Sequence, residues 1–204
     1  MSGICKRNAV VNSSARTYQI FRARTLVLKS ARLLIALAFA SNLLGIQAQA
    51  QGSSEYAVKA AFLYNFAKFV EWPPGVFGND GAPLVVGVVG DDPFGSALDQ
   101  TIRGKSANGR QLIIRRFSWG QNLRECHILF ISSSERKRLS QILDSLRGAG
   151  VLTVGETDHF NQQGGIINFV IEKGKVRFEI NAGAAESSHL KLSSKLLALA
   201  KSVR

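Results

Sequence analysis

The amino-acid sequence predicts a single-domain α/β fold: a mostly parallel sheet flanked by helices, with an antiparallel hairpin toward the carboxyl end. Two observations lead to this prediction. Short apolar, β-branched runs alternate with helical patterns, as in βαβ units whose sheet is covered on both faces. Late in the chain, two apolar runs flank Glu172-Lys173-Gly174-Lys175, which is typical of a hairpin turn. We expect residues 51–204 to form this one domain.

The first predicted element is an amphipathic helix over residues 53–71. A serine at position 53 or 54 can cap it, and Trp72-Pro73-Pro74 ends it because proline cannot continue a helix. Spacings of three and four define its expected apolar face: Val58, Phe62, Asn65, Phe66 and Phe69.

Strands and helices then alternate. Six strands are predicted from short apolar runs, at 84–89, 112–114, 128–131, 151–154, 166–171 and 176–180. A helix capped by Asp92, with Pro93 at its first position, is expected to run to Ile102. A second helix over 135–147 follows three serines, and one continuous helix is predicted over 182–203.

Residues 1–50 have the three parts of a secretory signal peptide. A basic region ends at Arg32, an apolar run follows at 33–44, and Ala48-Gln49-Ala50 supplies the small-x-small pattern of a cleavage site. A membrane span needs about 20 apolar residues, so we favour cleavage after Ala50 over an uncleaved anchor. We therefore expect this chain to be exported. Because the only methionine is the first residue and the basic region is long, a non-standard start near 26–28 is a further hypothesis.

The charge of the chain is concentrated in this leader. The sequence has 26 Lys and Arg against 14 Asp and Glu, a formal net charge of +12. Seven of the basic residues and none of the acidic ones fall within 1–50, which leaves +5 for residues 51–204. Such a charge is ordinary for a soluble domain. It argues against nucleic acid as a partner.

The sequence offers little support for an enzyme. There is no P-loop, no nucleophile elbow and no zinc-ligand spacing. His127 is expected in the core or at a strand end, and His159, beside acidic residues, is better explained by a solvated turn than by a metal site. The loop at 87–95 is better explained as a tight turn than as a phosphate site, since Asp91 and Asp92 would repel phosphate. We predict no catalytic activity, no metal and no cofactor.

Cys126 is the only cysteine in residues 51–204, so no internal disulfide is expected there. Its neighbours at 128–131 predict a buried strand. We therefore expect a buried structural thiol, with an intermolecular disulfide as the alternative.

Two groups of residues are candidates for binding. Arg177, Glu179 and Asn181 alternate along one predicted strand and share a face, and Asn168 of the neighbouring strand can lie on the same side. A surface ladder with a salt bridge is one interpretation. The other is a polar patch for a small anionic ligand or a protein partner, with Arg177 as the forked donor.

The second group lies at Trp72 and Phe77, which flank the proline pair and are either core lid residues or a partner contact. A cleft at the carboxyl ends of the strands is a further possibility, because ligands of open α/β sheets bind there. The residues expected at its rim are Asp91, Asp92, Ser132, Ser133, Gly155 and Glu156.

Several blocks of this sequence resemble the YfiR-like family of periplasmic proteins. The first block is residues 55–73, and the second is Gly90-Asp91-Asp92-Pro93-Phe94-Gly95. The third block combines 152–156, Phe160 and 164–169. The last block combines 178–181, 184–185 and 190–197. The blocks lie in the family's order and extend over most of 51–204. The resemblance implies a periplasmic, non-catalytic α/β regulator that forms dimers.

The resemblance also implies a partner. The type member represses an inner-membrane diguanylate cyclase by engaging its periplasmic portion, which lowers cyclic di-GMP and biofilm formation. We accordingly expect the contact surface to include Phe160 together with Trp72, Phe77 and the strand at 177–181. The type member's paired cysteines are not matched here, where Cys126 stands alone. A periplasmic small-molecule binding protein that feeds a sensor kinase or a transporter is the alternative function.

Overall fold

The computed structural model describes residues 55–204. These lie in one compact unit, Gly52–Arg204. The predicted signal peptide, its cleavage site after Ala50 and the hypothetical start near 26–28 lie outside the described residues.

The described chain alternates helices and strands. Helix α1 covers residues 55–69, and the later helices are α2 (Ser96–Ile102), α3 (Leu139–Ser145), α4 (Ala182–Ser187) and α5 (Ser194–Leu199). The strands are β1 (Val70–Glu71), β2 (Leu84–Val89), β3 (Ser106–Ala107), β4 (Arg110–Phe117), β5 (Ile128–Ile131), β6 (Leu152–Gly155), β7 (Ile167–Glu172), β8 (Lys175–Ile180), β9 (Lys191–Leu192) and β10 (Ser202–Val203). Short 3₁₀ helices cover Leu123–Glu125 and Ser133–Arg138.

Eight of these strands form one sheet in the order β10-β8-β7-β6-β5-β2-β4-β3. The central strands β4, β2, β5, β6 and β7 are parallel. Strand β8 returns antiparallel to β7, and its register pairs Asn168 with Glu179. The predicted fold class, a mostly parallel α/β sheet with a late antiparallel hairpin, is confirmed.

A hydrophobic core lies on each face of the sheet, which explains why β2, β5 and β6 are buried at every position. On one face, Phe62 and Phe66 of α1 pack against Phe169 and Phe178 of the hairpin, with ring centroids 5.2–6.0 Å apart. Each fully buried phenylalanine contributes roughly 2–3 kcal/mol. The other face is covered by α3. Among residues 55–204, no helix combines the length and apolar character needed to cross a bilayer.

The buried stripe of α1 differs from the predicted one. Val58 is 42% exposed, and the fully buried positions are Ala60, Leu63, Phe66 and Ala67. The stripe also takes in Lys59, which is 3% exposed. The prediction of the apolar face was therefore partly wrong, because a charged residue occupies a place on the buried side.

The prediction of one helix over 182–203 is wrong. Helix α4 ends before His189, whose φ of 58° is left-handed and cannot continue an α-helix. The chain then extends as β9, which pairs with β1. Ser193 starts α5 by accepting a hydrogen bond from the Leu196 N–H. The leucine spacing suggested one helix because Leu190 and Leu196 both face the core.

Two other helix predictions need correction. Asp92 does not cap α2: its Oδ1 accepts a hydrogen bond from the Phe94 N–H at 2.8 Å, and Gly95, with φ of 54°, directly precedes the helix. The segment predicted as one helix over 135–147 begins as a 3₁₀ helix and becomes α-helical only at Leu139.

Candidate functional site

The loop after β1 is held rigidly at the amino ends of β2 and β5. We call residues 72–83 the Trp72 loop. The Trp72 Nε1 donates a hydrogen bond to the His127 carbonyl oxygen at 3.2 Å. The Phe77 ring stacks on the His127 imidazole with centroids 4.3 Å apart and an interplanar angle of 10°. The Arg110 guanidinium carbon lies 3.9 Å from the Phe77 centroid.

Arg110 also fastens the backbone of this loop. Its Nη1 donates to the carbonyl oxygens of Asn79, Asp80 and Ala82 at 3.0, 3.3 and 2.8 Å. The loop and Arg110 line a cavity of about 510 Å³. Trp72 and Phe77 are both half-buried against the core. Each side chain therefore covers the core with one part and leaves another part accessible.

His127 is a buried residue just before β5, as predicted. Its Nδ1 accepts a hydrogen bond from the Val85 N–H at 3.0 Å. Burial lowers its pKa from 6.5 to about 4, and the Arg110 charge acts in the same direction. The imidazole is therefore neutral at physiological pH, which its role as a hydrogen-bond acceptor requires.

A buried ion-pair cluster lies just after the carboxyl end of β6. The Lys59 Nζ lies 2.6 Å from Glu156 Oε2 and 2.5 Å from Glu55 Oε1. The Tyr56 hydroxyl donates to the Glu156 carboxylate, at 3.1 Å from its nearer oxygen. Burial and the Glu156 charge raise the pKa of Tyr56. We call these four residues the Lys59 cluster.

The sequence-based reasoning missed three of the four members of this cluster. Only Glu156 was expected at the rim of a cleft. The available signal was Lys59 itself, whose spacing from Tyr56 and Phe66 places it on the buried side of α1. A lysine there needs an acidic partner, because an unpaired buried charge is very costly.

The predicted Arg177–Glu179–Asn181 row combines one exposed side chain with two that already have partners within the protein. Arg177 is exposed, and Glu179 lies beside Lys201, with 3.7 Å between the charged atoms. Asn181 caps α4: its Oδ1 accepts from the Ala184 N–H at 3.0 Å, while its Nδ2 donates to the Asn161 carbonyl. Asn168 is 6% exposed, and its Oδ1 has no hydrogen-bond partner.

Phe160 belongs to the core. It is fully buried, and its ring fills the space beside Gly155 and Gly165. A Cβ atom added at those glycines would lie 2.3 and 2.1 Å from ring carbons. The side chain therefore anchors the segment between these glycines on the sheet, and it is not accessible to a partner in this conformation.

The loop that resembles a phosphate site is occupied by the protein's own side chains. Gly90, with φ of 87°, is packed closely by Ser134 and Glu135, and the Asp91 N–H donates to the Ser134 hydroxyl at 2.9 Å. Arg116 lies 2.7 Å from Asp92 and bridges that carboxylate to α2. This geometry is that of a tight turn.

Cys126 is 1% exposed and free. Burial raises the pKa of its thiol to about 12, so it stays protonated and unreactive at neutral pH. Within residues 55–204, no three His, Cys, Asp or Glu side chains are close enough together to hold a metal ion.

The sequence model of the YfiR/HmsC-like family matches residues 56–201. The chain belongs to the YfiR/HmsC-like family. Members of this family are periplasmic regulators in the diguanylate cyclase pathway, and the family is regulatory rather than catalytic. The match includes the Trp72 loop and nearly all of the Lys59 cluster, so both features belong to the family domain of this protein.

Two solved structures are similar to part of this YfiR/HmsC-like chain. A conserved domain protein from Vibrio cholerae O1 biovar El Tor str. N16961 aligns with 13% identity and a TM-score of 0.43, over 59% of this chain and 54% of that one. The ABC domain in complex with L-Trp from Streptococcus pneumoniae aligns with 9% identity and a TM-score of 0.46, over 59% of this chain and 55% of that one. The chain thus spans about half the length of each. A comparison with curated proteins gave no match.

Proposed function

We propose that this protein represses an inner-membrane diguanylate cyclase by binding the cyclase's periplasmic portion, and so lowers cyclic di-GMP. The observation that carries the proposal is the family match over residues 56–201. A binding protein without catalytic groups acts on an enzyme by binding its inactive state more tightly than its active state. Export through a cleaved signal peptide at 1–50 is part of the proposal.

We place the partner contact on the Trp72 loop. Its backbone is fixed by the three hydrogen bonds from Arg110, so little conformational entropy is lost when a partner binds. Tryptophan and arginine are also the residue types most often found at the energetic centre of interfaces. Arg177 and Glu179, on the hairpin, form a second proposed contact, and Phe160 supports the sheet from within the core.

Exposed residues allow this surface to be tested without disturbing the core. Pro74 is exposed in the Trp72 loop, and Arg177 is exposed on β8. We expect Pro74→Glu to raise cellular cyclic di-GMP toward the level of a gene deletion, because a new charge would be buried at the interface. Arg177→Glu tests the hairpin surface in the same assay.

Gln121→Glu is the matched control for Pro74→Glu, since it also adds one negative charge at an exposed position, in the segment after β4 and outside both surfaces. The control should repress like the unaltered protein, and all three variants should reach normal periplasmic levels. Full repression by both Pro74→Glu and Arg177→Glu would overturn the proposed contact surface. It would leave open repression through another face of the molecule.

A further inference from the structure

Two adjoining cavities lie beyond the carboxyl end of β6, and both are lined by Asn168, Asp158 and Val170. The larger has a volume of about 440 Å³ and is also lined by the Lys59 cluster and Thr157. The smaller has a volume of about 250 Å³ and is lined by Asn161 and Glu179, among others. We call this pair the Asn168 cavities. Their sizes are close to those of small-molecule sites, and their position is where ligands bind in open α/β sheets.

Residues that line these cavities carry buried polar groups without hydrogen-bond partners. Four such atoms belong to lining residues: Thr157 Oγ1, Asn161 Oδ1, Asn161 Nδ2 and Asn168 Oδ1. All three side chains are more than nine-tenths buried. Native proteins leave few buried polar groups unsatisfied. Three side chains with such groups lie together at one pair of cavities. This indicates that a bound molecule supplies the missing hydrogen bonds.

The charged groups at the cavities, apart from Arg204, are already paired within the protein. Lys59 is held between Glu55 and Glu156. Asp158 pairs with Arg136 at 3.1 Å, and Glu179 lies 3.7 Å from Lys201. Arg204, which lines the smaller cavity, is exposed to solvent. The buried groups that lack partners are thus neutral: one hydroxyl and two amides.

We propose that the Asn168 cavities bind a neutral, hydroxyl-rich molecule the size of a monosaccharide. A hydroxyl group both donates and accepts, so several on one ligand can satisfy amide oxygen, amide nitrogen and threonine hydroxyl alike. A charged ligand would lose its hydration without finding a buried, unpaired opposite charge, since Arg204 stands in solvent. The Ile171 side chain, which is 53% exposed and lines the larger cavity, offers an apolar wall for the C–H face of a sugar. This site requires neither a cyclase nor a partner, so it stands or falls separately from the proposed repression.

Titration of the purified protein, expressed from the full chain, tests this site by NMR. The probes are D-glucose, D-galactose and N-acetyl-D-glucosamine, with glutamate and putrescine as an anionic and a cationic comparison. We expect at least one neutral sugar to shift the side-chain amide signals of Asn161 and Asn168 saturably. We expect neither charged probe to do so.

Two variants remove the unpaired groups. Thr157→Val is isosteric, and Asn168→Leu replaces an unsatisfied amide with an apolar side chain. Each should weaken sugar binding about tenfold, the usual effect of losing one neutral hydrogen bond. The melting temperature of Asn168→Leu should hold or rise, which separates loss of binding from loss of fold. Ser202→Ala is the control, because Ser202 Oγ is also buried without a partner but lines neither cavity.

Three outcomes would overturn the proposal. One is that no neutral sugar shifts the two asparagine signals. Another is that glutamate or putrescine binds there instead of a sugar. The third is that sugar binding is undiminished in both Thr157→Val and Asn168→Leu.

Discussion

His127 and Lys59 show how much a single side chain of this protein depends on distant parts of the chain. The hydrogen bond from Val85 to His127 joins residues 42 positions apart, and that from Lys59 to Glu156 joins residues 97 apart. The sequence predicted His127 in the core because of the apolar run beside it. It did not reveal the Lys59 cluster, because a partner so far away in the chain cannot be recognised from local spacing.

The lowered pKa of His127 makes stability depend on pH. The folded state disfavours the imidazolium, so between pH 6.5 and about 4 the unfolded chain binds more protons than the folded one. Stability from this residue is therefore fully present above pH 6.5 and is lost as pH falls toward 4, by roughly 3 kcal/mol in total. Urea unfolding at a series of pH values measures this loss.

His127→Asn is the comparison, because an amide oxygen can accept the Val85 hydrogen bond without titrating in this range. The difference in unfolding free energy between the two proteins should change steeply from pH 6.5 to 4. Parallel pH profiles for the two proteins would contradict the assignment.

Gly155 is required by the Phe160 ring. A Cβ atom there would lie 2.3 Å from a ring that is itself fully buried, so Gly155→Ala should destabilise the fold by about 1–3 kcal/mol. Gly183→Ala in α4 is the matched control, since its Cβ would meet nothing closer than 3.7 Å. It should be neutral or stabilising by up to about 1 kcal/mol. Equal melting temperatures for the two variants would refute this packing.

At the scale of elements, strands buried on both faces were predicted well and the ends of helices were not. The apolar runs of β2, β5 and β6 indicate strands because their burial depends little on which element covers them. Strand β9 was missed because two residues form a strand only when β1 lies beside them. The left-handed φ of His189 carries no strong sequence signal, since histidine adopts it only occasionally.

The Trp72 loop depends on one arginine. Arg110→Ala removes three hydrogen bonds to its backbone and the stacking on Phe77. We expect amide hydrogens at 76–82 to exchange at least tenfold faster, while exchange in β5 and β6 stays unchanged because local opening does not require global unfolding. Arg124→Ala is the control, since Arg124 donates to the Ser145 carbonyl and lies away from this loop. Unchanged exchange in the loop of Arg110→Ala would show that Arg110 does not hold it.

At the scale of the whole molecule, the sequence predicted the fold class but did not show where the candidate site residues lie relative to one another. Trp72 and Phe77 lie at the amino ends of the strands, whereas Asn168 pairs with Gly155 at the carboxyl end of β6. The two candidate groups therefore lie at opposite ends of the parallel strands. Alternation within a strand predicts a shared face, but it does not indicate that a residue such as Asn181 serves as a helix cap.

The central claim, repression of a cyclase from the periplasm, is tested most directly by measuring cyclic di-GMP in cells that lack this gene. Deletion should raise cyclic di-GMP. A copy with residues 1–50 should restore the lower level, and a copy without them should not, because it would stay apart from the cyclase's periplasmic portion. Unchanged cyclic di-GMP on deletion, or equal rescue by the copy without residues 1–50, would contradict the account.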